Sequence, residues 1–403
     1  MVFKKPLNTI VLYPRNQFKW KPIRASKGVS SVTTEKKRIK LLEPVIGEEE
    51  INEVVAVLRS GWLTEGQKTK EFEEEIKKYV GVDYAFATTS CTTALEIALR
   101  ALGVGSGDEV VVPDFTHPST GNIVSWVGAT PILVDVDLFS YNVDPAEIEK
   151  AITKKTKCII PVSWGGNPLN MDPLTEIKQK HGLSIIEDAA CSLGAEYRGT
   201  KTGKLADITC FSFHPRKVIT TGEGGMAVTD QTRLAEKLGS LKKYGMKIKD
   251  GEIKFEVLGS NYKLSDVLGA IGLAQIRKIN SITNRRIELA SYYDKLLAET
   301  EFIRPPEKSA YSKHIYQTYA VYIEKEGARD KIIEDMRKEN IETQIGTYAL
   351  HMQPSYERVK KIGKLQRAEK LYRNLLALPM CHSMTKEDQE RVIFNIKKSL
   401  RAN

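Results

Sequence analysis

Leu183-Ser-Ile-Ile-Glu-Asp-Ala-Ala190 and Phe211-Ser-Phe-His-Pro-Arg-Lys-Val-Ile-Thr-Thr-Gly-Glu-Gly-Gly225 are the two stretches that decide the fold of this chain. The first is a short apolar run that ends in two acids, which is typical of a buried strand. The second starts as a strand and continues into a loop that carries Lys217 between a proline and a glycine-rich turn. Ligands of open α/β sheets bind outside the carboxyl ends of the strands, so both stretches predict side chains that face one crevice.

Short apolar strands and helices alternate on either side of these stretches, which predicts an α/β fold with a largely parallel sheet covered on both faces. A long helix is expected over Leu264–Lys278, with a second helix starting near Asn284. Later segments predict a separate, smaller α+β domain. We therefore expect a large domain of residues 60–280 and a small domain formed by residues 40–59 and 281–403. The predicted strands are Tyr84–Thr88, Glu109–Val112, Ile132–Val136, Cys158–Val162, Leu183–Ile186, Ile208–Phe213, Gly225–Thr229 and Gln317–Ile323, and the other predicted helices are Glu48–Leu58, Thr69–Tyr79, Thr93–Leu102, Asn122–Val127, Leu174–Lys180, Ala328–Glu339 and Lys386–Leu400.

The charge of the chain is concentrated at its start. The first 40 residues carry eleven basic residues and one acid, so they account for the whole formal charge of +10. We expect residues 1–39 to be a poorly ordered, solvated leader, with contact to nucleic acid, an anionic membrane or an acidic partner as the alternative. A neutral remainder argues against a nucleic-acid-binding protein.

We expect a cytoplasmic protein from the composition. No apolar run approaches the roughly 20 residues that a membrane span needs, and the N-terminus lacks the apolar core of a secretory signal. The five cysteines are scattered and form no C-x-x-C pair, which favours neither a disulfide framework nor a zinc site. They are Cys91, Cys158, Cys191, Cys210 and Cys381.

Three chemical groups fall at different predicted strand ends. They are the carboxylate of Asp188, the amine of Lys217 and the hydroxyl-rich run Thr88-Thr-Ser-Cys-Thr-Thr93 before a helix. The first amides of a helix, with hydroxyls nearby, form a phosphate site. A pyridoxal phosphate (PLP) site needs those parts: a phosphate anchor, a lysine that holds the aldehyde as an imine, and a carboxylate that keeps the ring nitrogen protonated. Each group alone is more often a solvated charge, a turn or a helix cap.

The chain resembles the DegT/DnrJ/EryC1/StrS family of PLP-dependent sugar aminotransferases, which have the type I aminotransferase fold. The resemblance extends from about Ile39 to the C-terminus, and the block around Lys217 is its most specific part. The matching stretches are Gly61-Trp-Leu-Thr-Glu-Gly66, Gly107-Asp-Glu-Val-Val-Val-Pro113, Glu187-Asp-Ala-Ala190, Phe211–Gly225, Ala270-Ile-Gly-Leu-Ala-Gln275 and Leu350-His-Met-Gln-Pro354.

This resemblance implies a role for each matching residue of the cofactor site. Lys217 matches the lysine that forms the imine and then moves a proton between substrate and cofactor, and Asp188 matches the partner of the pyridine nitrogen. Ser212 and Thr92 match hydroxyls that bind the phosphate, helped by backbone amides of the Cys91-Thr92 turn. The alternative for these hydroxyls is a cap or turn.

Other implied roles fall on less typical residues. Asn261 matches an asparagine that reaches the phosphate of a neighbouring subunit, which implies a homodimer with shared sites; a turn asparagine is the alternative. His117 stands where a larger aromatic ring stacks on the cofactor. Cys191 replaces the Gln or His that touches the ring hydroxyl, and Cys91 replaces a common Gly of the phosphate turn. Either a small buried filler or a reactive thiol would suit Cys191, and we favour the filler.

The expected substrate contacts are His351, Trp62 and Ser163. His351 matches a histidine of the small domain near the substrate, and the loop of Trp62 lies near the substrate in the family, although packing is the alternative for this ring. Ser163 stands where a His is frequent. These departures predict preserved chemistry with an altered pocket.

Lys217 decides the expected reaction. Family members that are sugar dehydratases carry His in its place, and His cannot form an imine, so lysine favours transamination. L-glutamate would donate the amino group and a keto sugar, normally nucleotide-linked, would accept it. Lys217 must be neutral to move a proton, which a desolvated site beside a cationic cofactor would promote. The alternatives are a cyclitol or another small ketone as acceptor, or a catalytically silent binding or regulatory protein.

Overall fold

The computed structural model describes residues 36–307, 309 and 311–401. The expected basic leader, residues 1–39, lies almost entirely outside this part of the chain, so its disorder stays a prediction. The proposed domain boundaries also stay a prediction. Within the described residues, no helix is both long and apolar enough to cross a membrane.

Helices occupy both halves of the chain. Most begin or end within two or three residues of the positions that hydrophobic periodicity predicts. They are α1 (Glu48–Ser60), α2 (Gln67–Val80), α3 (Cys91–Ala101), α4 (Pro118–Trp126), α5 (Pro145–Ala151), α6 (Met171–His181), α7 (Thr232–Leu241), α8 (Asp266–Leu297), α9 (Ala328–Lys338), α10 (Gln366–Asn374) and α11 (Lys386–Arg401).

The strands are short. The first stretch quoted above contains β6, and the second begins with the last two residues of β9. All described strands are β1 (Tyr84–Thr88), β2 (Glu109–Pro113), β3 (Phe115–Thr116), β4 (Thr130–Val134), β5 (Thr156–Ile159), β6 (Ser184–Asp188), β7 (Glu196–Tyr197), β8 (Thr200–Lys201), β9 (Ile208–Ser212), β10 (Gly225–Thr229), β11 (Met246–Lys249), β12 (Glu252–Phe255), β13 (Ile303–Arg304), β14 (Ser312–Lys313), β15 (Tyr319–Ile323), β16 (Gln344–Ile345), β17 (Tyr348–Ala349), β18 (Lys360–Lys361) and β19 (Leu375–Leu378).

The main sheet has the strand order β1-β10-β9-β6-β5-β2-β4-β18 among the described residues. Neighbours from β9 to β18 are parallel, whereas β10 is antiparallel to both β1 and β9. This confirms the predicted α/β class and mostly parallel sheet. Because β9 and β6 run in the same direction, their carboxyl ends open at the same edge of the sheet.

Helices cover both faces of this sheet because strand side chains alternate in direction. Cys210 and Ala227 pack into the cluster around α3, whereas their neighbours Phe211 and Met226 pack with Phe72 of α2 on the other face. Strands buried on both faces need the near-continuous apolar sequences seen in β6, β9 and β10.

A second, four-stranded sheet follows in the C-terminal part, with the order β13-β15-β19-β16 in the described chain. It forms its own apolar cluster, which includes Tyr293 of α8, Val321 of β15 and Ile393 of α11. Sequence analysis missed β13, β16 and β19, because these short strands carry too little periodic signal.

The expected break between two helices near Asn284 is wrong, since α8 is one continuous helix. One polar side chain of this region, Thr283, is satisfied inside the helix. The Thr283 hydroxyl donates to the carbonyl of Ile279 at 2.9 Å. Ile279 and Ile282 are buried, so the apolar face continues through the region.

Candidate active site

A cavity of about 360 Å³ opens at the carboxyl ends of β6 and β9. Asp188 is the last residue of β6, and the loop between β9 and β10 carries Lys217. The structure brings together most residues that sequence analysis assigned to cofactor binding. Those that line this cavity are Cys91, Thr92, His117, Asp188, Cys191, Ser212 and Lys217.

Asp188 supplies a buried carboxylate to this cavity and is only 4% exposed. The hydroxyl of Thr120 donates to Asp188 Oδ2 at 2.8 Å, and the backbone amide of Ala190 donates to Oδ1 at 3.2 Å. Burial raises the pKa of Asp188 above its ordinary value, although Thr120, Ala190 and the cations of the cavity oppose the shift. A further positive group would therefore be stabilised here, as an ionised carboxylate in a dry site needs a partner.

Lys217 lies opposite this acid on a short, hydrogen-bonded loop. Its amide donates to the carbonyl of His214 at 2.8 Å, and its Nζ donates to the Cys191 sulfur at 3.1 Å. Burial favours the neutral amine, but Cys191, Cys91 and Asp188 outweigh burial and raise the pKa of Lys217. The neutral amine expected from sequence is therefore not produced by this chain's own residues, and it requires an additional positive charge in the cavity.

The first turn of α3 forms the third wall. Ser90 caps this helix by accepting from the amide of Thr93 at 3.1 Å. The amides of Cys91 and Thr92 precede the first intrahelical donor and point to the cavity end of the helix. Together with the positive end of the helix dipole, they make an anion site next to the hydroxyl of Ser212.

Gly225 permits this arrangement because β10 passes directly beneath the turn. A Cβ atom at Gly225 would lie 2.3 Å from the carbonyl carbon of Ser90 and 2.4 Å from the amide nitrogen of Cys91. Both contacts are with backbone, which cannot rotate away. Only glycine therefore lets the strand support the anion site at this distance.

His117 caps α4 and lines the cavity. Its Nδ1 accepts from the amide of Ser119 at 3.2 Å, and burial lowers the pKa of the ring. Helix α4 begins at Pro118, earlier than the Asn122 start that sequence analysis predicted. The earlier start turns Thr120 toward Asp188, and sequence analysis missed this contact. Proline at a first helical position was the available signal.

Two residues expected near the substrate are held by acids outside the cavity lining. Ser163 is fully buried, and its hydroxyl donates to Glu187. Burial raises the pKa of Glu187 to about 7, against the hydrogen bonds from Ser163 and Thr209. His351 Nδ1 lies 2.6 Å from Asp114 Oδ2, and this hydrogen bond raises the pKa of His351.

Trp62 and Asn261 are both exposed and, in the described structure, do not line the cavity. Trp62 lies beside a different cavity, where its Nε1 donates to the carbonyl of Glu65 at 3.3 Å. Asn261 Oδ1 accepts from Lys263 Nζ at 2.5 Å. The role expected for Asn261 concerns another subunit and stays a prediction.

Sequence analysis did not identify several other residues that complete the cavity wall. Arg216 precedes Lys217, while Gln317, Thr318 and Gln344 come from the C-terminal part. Buried Arg286 donates to the carbonyl of Gln317 at 3.1 Å and so fixes that segment. The approach of Gln317, Thr318 and Gln344 to Lys217 depends on packing between segments that are far apart in sequence, which leaves no local motif.

The cavity fits pyridoxal phosphate on the chemistry of its donors. Asp188 offers a buried anion with room for a cationic ring nitrogen, Lys217 offers an amine, and the start of α3 with Ser212 and Thr92 offers an anion site. These groups lie around one cavity, which is the arrangement that this cofactor requires.

Comparison with known proteins gives the same assignment. The profile of the DegT/DnrJ/EryC1/StrS aminotransferase family matches residues 44–397. The GDP-perosamine synthase of Caulobacter vibrioides is 37% identical over 361 residues, which cover 88% of this chain and 96% of that protein. The spore coat polysaccharide biosynthesis protein SpsC of Bacillus subtilis is 35% identical, over 87% of this chain and 94% of SpsC.

A solved structure extends the similarity to three dimensions. A Streptococcus pneumoniae protein assigned as a sugar aminotransferase, solved in its PLP form, superposes with a TM-score of 0.86. Sequence identity is 30%, and the match covers 91% of this chain and 99% of that protein. The fold and the cofactor of the relative thus agree with the chemistry of the cavity.

Proposed function

Because the chain belongs to the DegT/DnrJ/EryC1/StrS aminotransferase family, we propose that it transfers the amino group of L-glutamate to a keto sugar carried on a nucleoside diphosphate. Family membership confirms the predicted type I fold, the PLP cofactor and the aminotransferase activity. The donor, the keto sugar and its nucleotide are the proposed part. A relative that is a GDP-perosamine synthase supports a nucleotide-linked acceptor.

PLP supplies, when bound, an electron-accepting ring that stabilises negative charge on the substrate carbon. We assign the covalent attachment to Lys217 Nζ and the contact with the ring nitrogen to Asp188. Ser212, Thr92 and the first amides of α3 would hold the phosphate. His117 and Cys191 line the same cavity and would contact the ring.

The observation that carries this proposal is the placement of Lys217 and Asp188 on one cavity. Lys217 Nζ touches a sulfur and no carboxylate oxygen in the described structure, so it is free to move protons at a substrate carbon. Positive charge beside Lys217 would lower its pKa and supply the neutral amine that proton abstraction needs. The hydrogen bond from Thr120 stabilises the negative charge of Asp188, which would pair with the positive ring nitrogen.

The test is the visible absorption band of the lysine-bound cofactor, recorded with and without L-glutamate. We expect glutamate to bleach the band with release of 2-oxoglutarate, and a nucleotide-linked keto sugar to restore it. Lys217→Ala should lack the band, whereas Lys154→Ala, at an exposed lysine of the loop before β5, should behave as the parent protein.

Two outcomes would contradict the proposal. A band that glutamate leaves unchanged, while another amino acid bleaches it, would exclude glutamate as donor. If cyclitol ketones restore the band and nucleotide-linked keto sugars do not, the proposed acceptor is wrong and the transamination is retained.

A further inference from the structure

A second cavity, of about 420 Å³, adjoins the candidate active site. Leu42, Arg216 and Gln344 line both cavities, so the two spaces meet at these side chains. Arg216 directly precedes Lys217 in the chain. A ligand whose reacting carbon lies at Lys217 can therefore continue past Arg216 into the second cavity.

Positive charge dominates the wall of this second cavity. Arg38, Arg216 and Arg337 line it together with one carboxylate, Glu342. Arg38 is paired with Glu342, at 2.5 Å from Nη2 to Oε1. The other two guanidinium groups have no carboxylate partner within the described structure. Arg216 Nη1 donates to the neutral Gln344 Oε1 at 3.0 Å.

Unpaired arginines on a concave wall favour oxyanions. The planar guanidinium group matches carboxylate and phosphate oxygens with two parallel hydrogen bonds. Glu342 neutralises one of the three charges, so an oxyanion would enter a wall that keeps the positive charges of Arg216 and Arg337. A space of this volume accommodates a group larger than a single carboxylate.

We propose that this second cavity is an oxyanion subsite, which binds the phosphate groups of the amino acceptor while its carbonyl carbon lies at Lys217. This inference rests on the proposed function for the position of the reacting carbon. The side-chain carboxylate of the donor offers the same oxyanion chemistry, so the test separates the two sources.

The experiment measures binding rather than turnover. Inorganic pyrophosphate and GDP are titrated into the PLP-loaded protein by calorimetry, with Arg216→Ala and Arg337→Ala as variants. Loss of a charge-assisted pair of hydrogen bonds should weaken each probe by about 10-fold or more. Both arginines are exposed, so we expect neither variant to affect folding. Arg233→Ala, at an exposed arginine of α7, is the matched control and should bind as the parent protein does.

Arg216→Lys refines the result, because lysine keeps the charge but not the two-pronged geometry. We expect it to bind pyrophosphate with an affinity between those of the parent protein and Arg216→Ala. Unchanged pyrophosphate and GDP binding in both alanine variants, together with unchanged glutamate dependence of cofactor bleaching, would overturn the subsite.

Weaker glutamate dependence with unchanged pyrophosphate binding would overturn the assignment to the acceptor's phosphate groups and give the site to the donor's carboxylate. A protein that never reacts with glutamate would refute the proposed donor alone. Its pyrophosphate affinity would still report on Arg216 and Arg337, so the two failures are distinguishable.

Discussion

Thr120→Val is the substitution that most directly tests how the fold prepares Asp188 for the cofactor. The Thr120 hydroxyl donates to Asp188 Oδ2 at 2.8 Å inside a fully buried contact. Valine has almost the same shape and removes the hydroxyl, which donates to Asp188 and also lies 3.0 Å from the hydroxyl of Thr116. Without this hydrogen bond, the ionised carboxylate is less stable, and the raised pKa of Asp188 should rise further.

The magnitude follows from the charge and burial of the acceptor. A hydrogen bond to a charged group contributes about 1.5–3 kcal/mol, and the ionised Asp188 loses that stabilisation when the donor is removed. We therefore expect PLP to bind roughly 10- to 100-fold more weakly to Thr120→Val. The affinity for PLP should fall further as pH falls, because Asp188 becomes protonated and only its ionised form pairs with a cationic ring nitrogen. This weakening of PLP binding should begin at a higher pH in Thr120→Val than in the parent protein, because the variant's Asp188 has the higher pKa.

The assay is a fluorescence titration of the apoprotein with PLP at several pH values. Thr120→Ser retains the hydroxyl and should bind PLP within a few-fold of the parent protein. Thermal unfolding of the apoproteins controls for misfolding. PLP affinity that is unchanged in Thr120→Val, or equally reduced in Thr120→Ser, would refute the role given to this hydrogen bond.

Two further substitutions test the strands below the site. Burial raises the pKa of Glu187 from 4.5 to about 7, so the protonated form favours folding: this contribution is complete below pH 4.5 and is lost as pH rises through 7. Urea unfolding between pH 5 and 8 should therefore show that stability falls by about 3 kcal/mol more in the parent protein than in Glu187→Gln, and parallel profiles would contradict this. Gly225→Ala should displace the Ser90-Cys91 turn and cost about 1–3 kcal/mol in unfolding free energy, with weaker PLP binding. Gly105→Ala is its control, since the nearest atom to a Cβ there is 3.8 Å away; equal effects in both variants would refute the steric argument.

The sequence alone was sufficient for the fold class and for the chemical groups of the candidate site. Alternation of short apolar strands with helices predicts a mostly parallel sheet, because such strands must be buried on both faces. Acids and a lysine at the ends of these strands must then reach one edge of the sheet. Lys217 and Asp188 were identified in this way, and the structure places both on one cavity.

Several expectations depended on contacts that no local pattern encodes. Sequence analysis predicted two helices where α8 is one, and the burial of Ile279 and Ile282 shows that its apolar face continues through the expected break. The substrate contacts predicted for Trp62 and His351 stay predictions. In the described structure, however, Trp62 lines another cavity and His351 pairs with Asp114.

Tertiary structure alone decided which side chains support the chemistry. Thr120 reaches Asp188 across 68 positions of sequence, and Gln344 reaches Arg216 across 128. Periodicity reports which face of an element is apolar, since that depends on neighbours three or four residues away. The distance between two elements depends on how their side chains pack, as at Gly225 beneath the first turn of α3. The chemical groups of the site could therefore be predicted from the sequence. The shape of the pocket and its arginine-lined extension were set by packing between distant segments.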